Sequence, residues 1–444
     1  MSDIIIRCNE RTGAVKKIHG VNNGPVCYGA LVDVTKYYKK VDIPLVRLHD
    51  PNWPHPREVD IHTVFPDFSK DPADPASYDF STTDEYIRTV VNTGAEIVYR
   101  LGESIEHTAK KYFVHPPEND EKWAQICIGI IRHYNEGWAD GFHYGIRYWE
   151  IWNEPDNPPA MWSSTPERYY QLYETASLSI KSYNPELKVG GPAVAGSYQT
   201  AFMAGFLKYA QERRLPLDFF SWHTYTSDPK MIARNAAHVR EQLDLHGYEQ
   251  AESHFNEWNY FEPNFRVIWQ EHSEFIRRRT FERAKGPVGA SFVAAVLSIL
   301  QQAPVDAANY YDGQPTAVFC GLFDYYGAPR TAYRSFEAFY ELTKLPQLLA
   351  VEIAETAAEI YCCATTDEAG HLAIMISNYE GKTRSYSLEL TGLASEQLAG
   401  LRMQRFVIDE DHELDLAEER QLGSEQLDLW LPQHSVTLIK LNFN

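Results

Sequence analysis

Glu154 lies in the stretch IWNEPD and Glu257 in HFNEWN, about a hundred residues apart, each closing a short apolar run. An ionised carboxylate in an apolar setting costs free energy unless it is paired or put to use. Trp149, Trp152 and Trp162 surround Glu154 in the stretch RYWEIWNEPDNPPAMW. Poor solvation by such rings favours the protonated carboxyl, the form a general acid needs near neutral pH. Asn153, its neighbour, has the donor and acceptor to grip a hydroxyl. Two carboxylates facing each other across a small gap suit cleavage of a glycosidic bond. One protonates the leaving oxygen, and the other attacks or assists at the anomeric carbon.

Other residues able to do chemistry close apolar runs in the same way. They are Arg47, His49 and Asp50 in VRLHD; Arg100 and Glu103 in YRLGES; and His223 and Tyr225 in SWHTY. Trp258 and Asn259 follow Glu257, and Tyr310 and Asp312 close the run VDAANYYD. His49, Asp50, Arg47, Arg100, Asn153, His223, Tyr225, Trp258, Asn259 and Tyr310 are therefore candidates for binding substrate. Arg100 has a second reading, a simple ion pair with Glu103. Metal chemistry has weaker support: the chain holds 16 histidines, but no H-x-H closes the first run and no H-E-x-x-H occurs. No metal and no cofactor are expected.

Eight short apolar runs must position these residues: 18–23, 43–50, 95–103, 146–154, 187–192, 217–225, 252–259 and 305–312. Between them lie helical patterns at 81–94, 121–137, 165–184 and 286–302. The first opens on Ser and Thr with acids in its first turn and closes on Gly94, as a capped helix should. Near-continuous apolar strands separated by helices predict parallel strands covered on both faces. Eight such units predict an α/β fold, a (β/α)8 barrel over 18–345, whose strand ends carry the site. An open doubly wound sheet is the alternative, but no Gly-rich phosphate loop follows the first strand. Beyond the helical pattern 329–345 the period changes to two, predicting an antiparallel β-sandwich over 346–444, with residues 1–17 adding a strand to it. The Pro- and Asp-rich insertion 51–80 is expected to wall one side of the site, offering Trp53, Phe65 and Phe68 as sugar platforms.

The net charge of −20, without a Lys/Arg-rich run, argues against nucleic acid and anionic membrane as partners. No stretch approaches 18 uncharged apolar residues, and the start MSDIIIRCNERTGAVKK has no signal-peptide pattern, so a cytoplasmic location is expected. The six cysteines are scattered and read as reduced, with Cys362 and Cys363 facing opposite sides of a strand. The partner expected is an oligosaccharide or small glycoside, and homo-oligomerisation stays open.

The motifs IWNEPD, SWHTY, HFNEWN and GLFDYYGAPRTAYRSFEAF together resemble the clan A glycoside hydrolases, and most of all glycoside hydrolase family 39, which includes β-xylosidases and α-L-iduronidases. The resemblance implies a retaining double displacement on a β-xyloside-like sugar, with Glu154 as acid/base and Glu257 as nucleophile; the insertion 51–80, expected to narrow the mouth into a pocket, makes the expected action exo. It also implies that Asn153 binds the 2-hydroxyl, that Tyr225 holds the nucleophile and that His49 binds the sugar. Arg100, Glu103 and the 51–80 insertion depart from the β-xylosidase pattern.

Overall fold

The computed structural model describes residues 2–443, apart from 54–56, 198–199, 264, 317–318, 320, 395–397 and 399. Eight parallel strands close into a barrel: β1 (Gly20–Asn22), β2 (Leu45–Leu48), β3 (Glu96–Leu101), β4 (Tyr148–Ile151), β5 (Lys188–Val194), β6 (Phe219–Thr226), β7 (Glu252–Tyr260) and β8 (Ala307–Tyr310). Each lies within or beside one of the eight apolar runs. Neighbours follow sequence order, and β8 closes the ring against β1 through Asn309 opposite Gly20.

Alternation along the strands sorts the side chains into layers. Leu45, Val98, Tyr148 and Phe219 form a small apolar cluster of their own low in the barrel. One step up, β2 and β4 contribute Arg47 and Glu150, fully buried and ion-paired. The opposite parity (Trp149, Trp222, Phe255) faces the helical shell and joins the main core. A charge in mid-strand is thus an interior residue of the barrel, and the tryptophans beside it belong to the packing outside.

The helices end where local chemistry dictates. Asp120–Glu136 opens on Asn119, whose side chain accepts from Lys122 N at 2.8 Å, and closes on Gly137 at φ +76°, a conformation glycine adopts without strain. Helix Pro287–Leu300 is buried almost all round because it lies between the barrel and a second sheet; Ser377 Oγ of that sheet donates to Ser291 O at 2.7 Å. No single described helix is long and apolar enough to cross a membrane.

The second sheet is one continuous array of nine strands, curled around Ile4, Ile6, Ile374, Leu388, Leu390 and Leu441. It is antiparallel except at Ile4–Ala14. That strand runs antiparallel to Gln347–Ile353 on one side and parallel to Arg384–Thr391 on the other. Cys363 packs into the main core and Cys362 against the sheet core, on opposite faces. Cys8, Cys27, Cys127, Cys362 and Cys363 are free thiols, and Cys320 lies outside the described residues.

Candidate active site

After β4 the backbone turns left-handed at Trp152 (φ +71°) and again at Glu154 (φ +45°). Such angles are strained for residues other than glycine and persist where surrounding bonds impose them. Here Trp152 N donates to Leu101 O at 2.7 Å and Glu154 N to Ala193 O at 3.0 Å, anchoring the turn to both flanking strands. The tryptophans do not wrap Glu154 as expected. Trp149 stacks on Tyr99, while Trp152 packs edge-on against Trp162 and donates from Nε1 to Met161 O. The partners of Glu154 are polar. Its Oε1 lies 2.8 Å from His223 Nδ1, and its Oε2 accepts from Asn157 Nδ2 at 2.9 Å.

Glu257 reaches the same place from β7. The register against β6 shifts between Phe255 and Glu257, a bulge that turns Asn256 inward as well and sets Glu257 opposite His223. His223 Nδ1 is 2.9 Å from Glu257 Oε2, so one imidazole nitrogen joins both carboxylates. One oxygen of each glutamate and the imidazole nitrogen all lie within 4.8 Å of one another. Burial opposes the imidazolium, but the charge of Glu257 and the bonds to both glutamates outweigh it and raise His223 to about 9. Burial likewise pushes Glu257 up, yet the His223 charge and hydrogen bond, Arg47 and a hydrogen bond from Tyr225 hold it below the usual carboxylate range. The same trio could embrace a cation; the shared imidazolium already offers it charge balance.

Arg47 lies beneath the pair and is fully buried. Its Nε donates to Glu150 Oε2 (2.7 Å), Nη1 to Asn22 Oδ1 (3.1 Å) and Nη2 to Asn153 Oδ1 (2.5 Å), and Nη1 stands 3.5 Å from Glu257 Oε1. Asn256 Nδ2 donates to the other oxygen of Glu150 at 2.5 Å. This corrects the reading of Arg47 as a substrate contact: its donors already have protein partners, and it fixes Asn153 and Glu257 in place.

The wall built by β2 and β3 is different. His49 Nε2 meets Asn153 Nδ2 at 3.2 Å and Asp50 Oδ2 at 3.5 Å. Burial, with Arg100, Arg47 and His223 adding positive charge nearby, holds His49 well below its ordinary value and hence neutral. Arg100 is fully buried, out of reach of a substrate, and does not pair with Glu103. It donates to Asp60 Oδ1 at 2.7 Å, while Glu103 meets His62 Nδ1 at 2.5 Å. Both new partners come from the 51–80 insertion, which is therefore fastened to β3. Its Phe65 is completely buried and Trp53 nearly so, packed on Tyr86, so neither is a sugar platform, and Phe68 packs on Phe65 and His62.

Trp258 and Tyr310 also differ from expectation. Both are fully buried and packed edge to face at 5.2 Å on the outer side of the barrel, with Tyr310 against Phe336 of the last helix. Asn259 is buried too and donates to Tyr311 O at 2.6 Å, bracing the end of β8. The neighbour Tyr311 is the ring facing the site, 6.4 Å from the ring of His49. Tyr311 and Tyr225 both touch Phe319, which leads to the half-exposed Trp269, and Trp269 in turn meets His107. Those last two rings belong to loops after β7 and β3, on opposite sides of the barrel. Sequence reasoning missed Asn157, Glu150, Asn256, Tyr311 and Trp269. Glu150 and Asn256 had a signal, a polar side chain inside an otherwise apolar strand.

A family model described as Glycosyl hydrolases family 39 matches residues 33–305. The chain belongs to glycosyl hydrolases family 39. Within and around this family, the chain is 24% identical over 328 residues to a β-xylosidase of Caldicellulosiruptor saccharolyticus, covering 68% of this chain and 64% of that one. It is 37% identical over 119 residues to a β-xylosidase of Geobacillus stearothermophilus, covering 26% and 22%. The chain thus spans less than two thirds of the length of these relatives. Among solved structures, a glucosidase from Croceicoccus marinus superposes with a TM-score of 0.82 at 24% identity, covering 100% of this chain and 99% of that one. A monomeric β-xylosidase from Caulobacter crescentus CB15 gives 0.72 at 16% identity, covering 99% of each. Both share the fold along the whole chain, barrel and added sheet.

Proposed function

We propose that this family 39 protein is a retaining, exo-acting glycoside hydrolase that removes a terminal β-xyloside-like sugar. One observation carries the reading: oxygens of Glu154 and Glu257 lie within 4.8 Å of each other, bridged by His223. Oxygens this close suit a carboxyl pair set for direct attack, about 5–5.5 Å apart, better than the roughly 6.5–9.5 Å separation that accommodates a water. In the first step a Glu257 oxygen bonds to the anomeric carbon, the bond to the leaving oxygen breaks, and Glu154 gives that oxygen a proton. In the second, water attacks the same carbon, Glu154 takes its proton, and the ester to Glu257 breaks. His223 lies 2.8 Å from Glu154 and keeps a proton next to the acid. The bridge of Trp269 and His107 over the mouth favours a pocket that admits a chain end.

The β-xylosidase relatives support a pentopyranoside. The glucosidase with full-length structural similarity supports a second reading, a β-glucoside. Turnover of a nitrophenyl glycoside panel, with product anomers followed by NMR, separates the two and tests retention. Glu257→Ala should lose activity by about 10⁵-fold and recover it with azide, giving the inverted glycosyl azide. Glu154→Ala should keep substrates with good leaving groups and give the retained azide. Identical behaviour of the two variants toward azide would sink the role assignment.

A further inference from the structure

Asp50 has features that its place after β2 does not require. Its backbone is left-handed at φ +52°, an angle that favours glycine, so a side chain here is held against a local cost. The carboxylate is largely buried at the mouth, yet its side chain keeps 14% of its surface exposed. A carboxylate accepts about four hydrogen bonds. Here Oδ1 accepts a long one from Ile105 N at 3.3 Å, the Ser104 side chain supplies another hydrogen bond, and Oδ2 stands 3.5 Å from His49 Nε2. That nitrogen belongs to a neutral imidazole facing the Asn153 amide, so it offers Asp50 little. The nearby guanidiniums ion-pair with other carboxylates, Arg47 with Glu150 and Glu257 and Arg100 with Asp60, and Arg100 acts on Asp50 only through its charge.

Asn153, His49 and Asp50 form a row with gaps of 3.2 and 3.5 Å, starting at the residue beside Glu154 and running away from the reacting centre. A sugar ring laid along it presents successive hydroxyls. We propose that Asp50 is a specificity-determining residue that accepts hydrogen bonds from the two adjacent hydroxyls of the terminal sugar farthest from the scissile bond, so that the site selects neutral pyranosides and rejects hexuronides. The inference rests on the hydrolase reading above. Burial pushes Asp50 up to about 7, so its ionised form is short of donors; adjacent hydroxyls supply two and favour that form, and a charge-assisted pair is geometrically selective. A substrate carboxylate at that end of the ring would instead meet the Asp50 carboxylate in a poorly solvated space, where like charges repel strongly.

Asp50→Gly and Asp50→Asn test this, because glycine and asparagine both tolerate the backbone angle. Wild type and variants are assayed on nitrophenyl β-xyloside, β-glucoside, their 3-deoxy and 4-deoxy analogues, and β-glucuronide. Asp50→Gly should melt at or above the wild-type temperature and lose on the order of 10²-fold in kcat/KM on the intact neutral glycosides. The wild type should discriminate against at least one deoxy analogue by on the order of 10²-fold, and Asp50→Gly by less than about 3-fold. Asp50→Asn should raise the glucuronide-to-glucoside ratio at least about 10-fold. Undiminished activity of Asp50→Gly, unchanged deoxy discrimination, or equal cleavage of glucuronide and glucoside by the wild type would overturn the assignment while the hydrolase reading stands. A wild type inert on the whole panel would remove both together.

Discussion

Arg47 and Arg100 sit on adjacent barrel strands, both fully buried, and they are bonded very differently. Every guanidinium nitrogen of Arg47 donates, and the groups it holds are Glu150, Asn22 and Asn153, with Glu257 just beyond. Arg100 donates from Nη2 to Asp60 and Ser104, while its Nε and Nη1 have no hydrogen-bond partner among the described residues. The difference separates two tasks. Around Arg47 the hydrogen bonds close without a ligand, which is what preorganised electrostatics require. On the β2–β3 side hydrogen-bonding capacity is left over, and it surrounds the residue proposed to read the sugar.

The largest expected effect is at Arg47. Arg47→Met leaves Glu150 buried without its cation, at a cost of roughly 3–5 kcal/mol. Arg100→Met should cost about 1–2 kcal/mol, since Asp60 keeps Ser104 N at 2.9 Å and Ser104 Oγ at 2.9 Å. Urea denaturation of both variants measures the gap, and equal losses would break the comparison. Adding Glu150→Leu to Arg47→Met should restore stability without restoring turnover, because Asn153 and Glu257 remain unsupported.

His223 gives the next effect. His223→Gln should lower kcat by about 10²–10³-fold. The raised value of about 9 means the imidazole stays protonated from its ordinary range up to that point and loses its proton as pH climbs through it. The alkaline limb of the wild-type rate profile should therefore reach toward pH 9, reporting the coupled trio, and move to lower pH in the variant. A limb that stays in place would detach this proton from the rate.

Much of this was legible in the sequence, and the limits have physical causes. Eight apolar runs located eight strands because a parallel strand covered on both faces is apolar throughout. Glu154, Glu257, His223 and Asn153 converge because each closes such a run. The errors are errors of direction. Trp258 and Tyr310 are next to inward-facing residues, so alternation carries them outward, and a bulge at Asn256 complicates the count. The tryptophans near Glu154 are close in sequence but lie in the outer packing. Proximity in sequence offers Arg100 a pairing with Glu103, whereas its partner Asp60 comes from a loop whose path no local pattern gives.

Asp156 sharpens the comparison from the other side, as one unsatisfied group beside the catalytic pair. Its Oδ1 accepts from Ala195 N at 2.9 Å, but Oδ2 has no hydrogen-bond partner among the described residues. Burial, with Glu154 nearby, raises it from 3.8 to about 7. The folded state therefore holds a proton between those values that the unfolded chain has released, so this group's stabilising contribution is complete below about 4 and is lost as pH rises through about 7. Asparagine keeps the acceptor for Ala195 N and cannot ionise. Asp156→Asn should match the wild-type melting temperature at pH 4 within about 1 °C and exceed it by about 2–4 °C at pH 8. A difference independent of pH would mean that Asp156 stays ionised throughout, and that the region under the glutamates is better solvated than its burial implies.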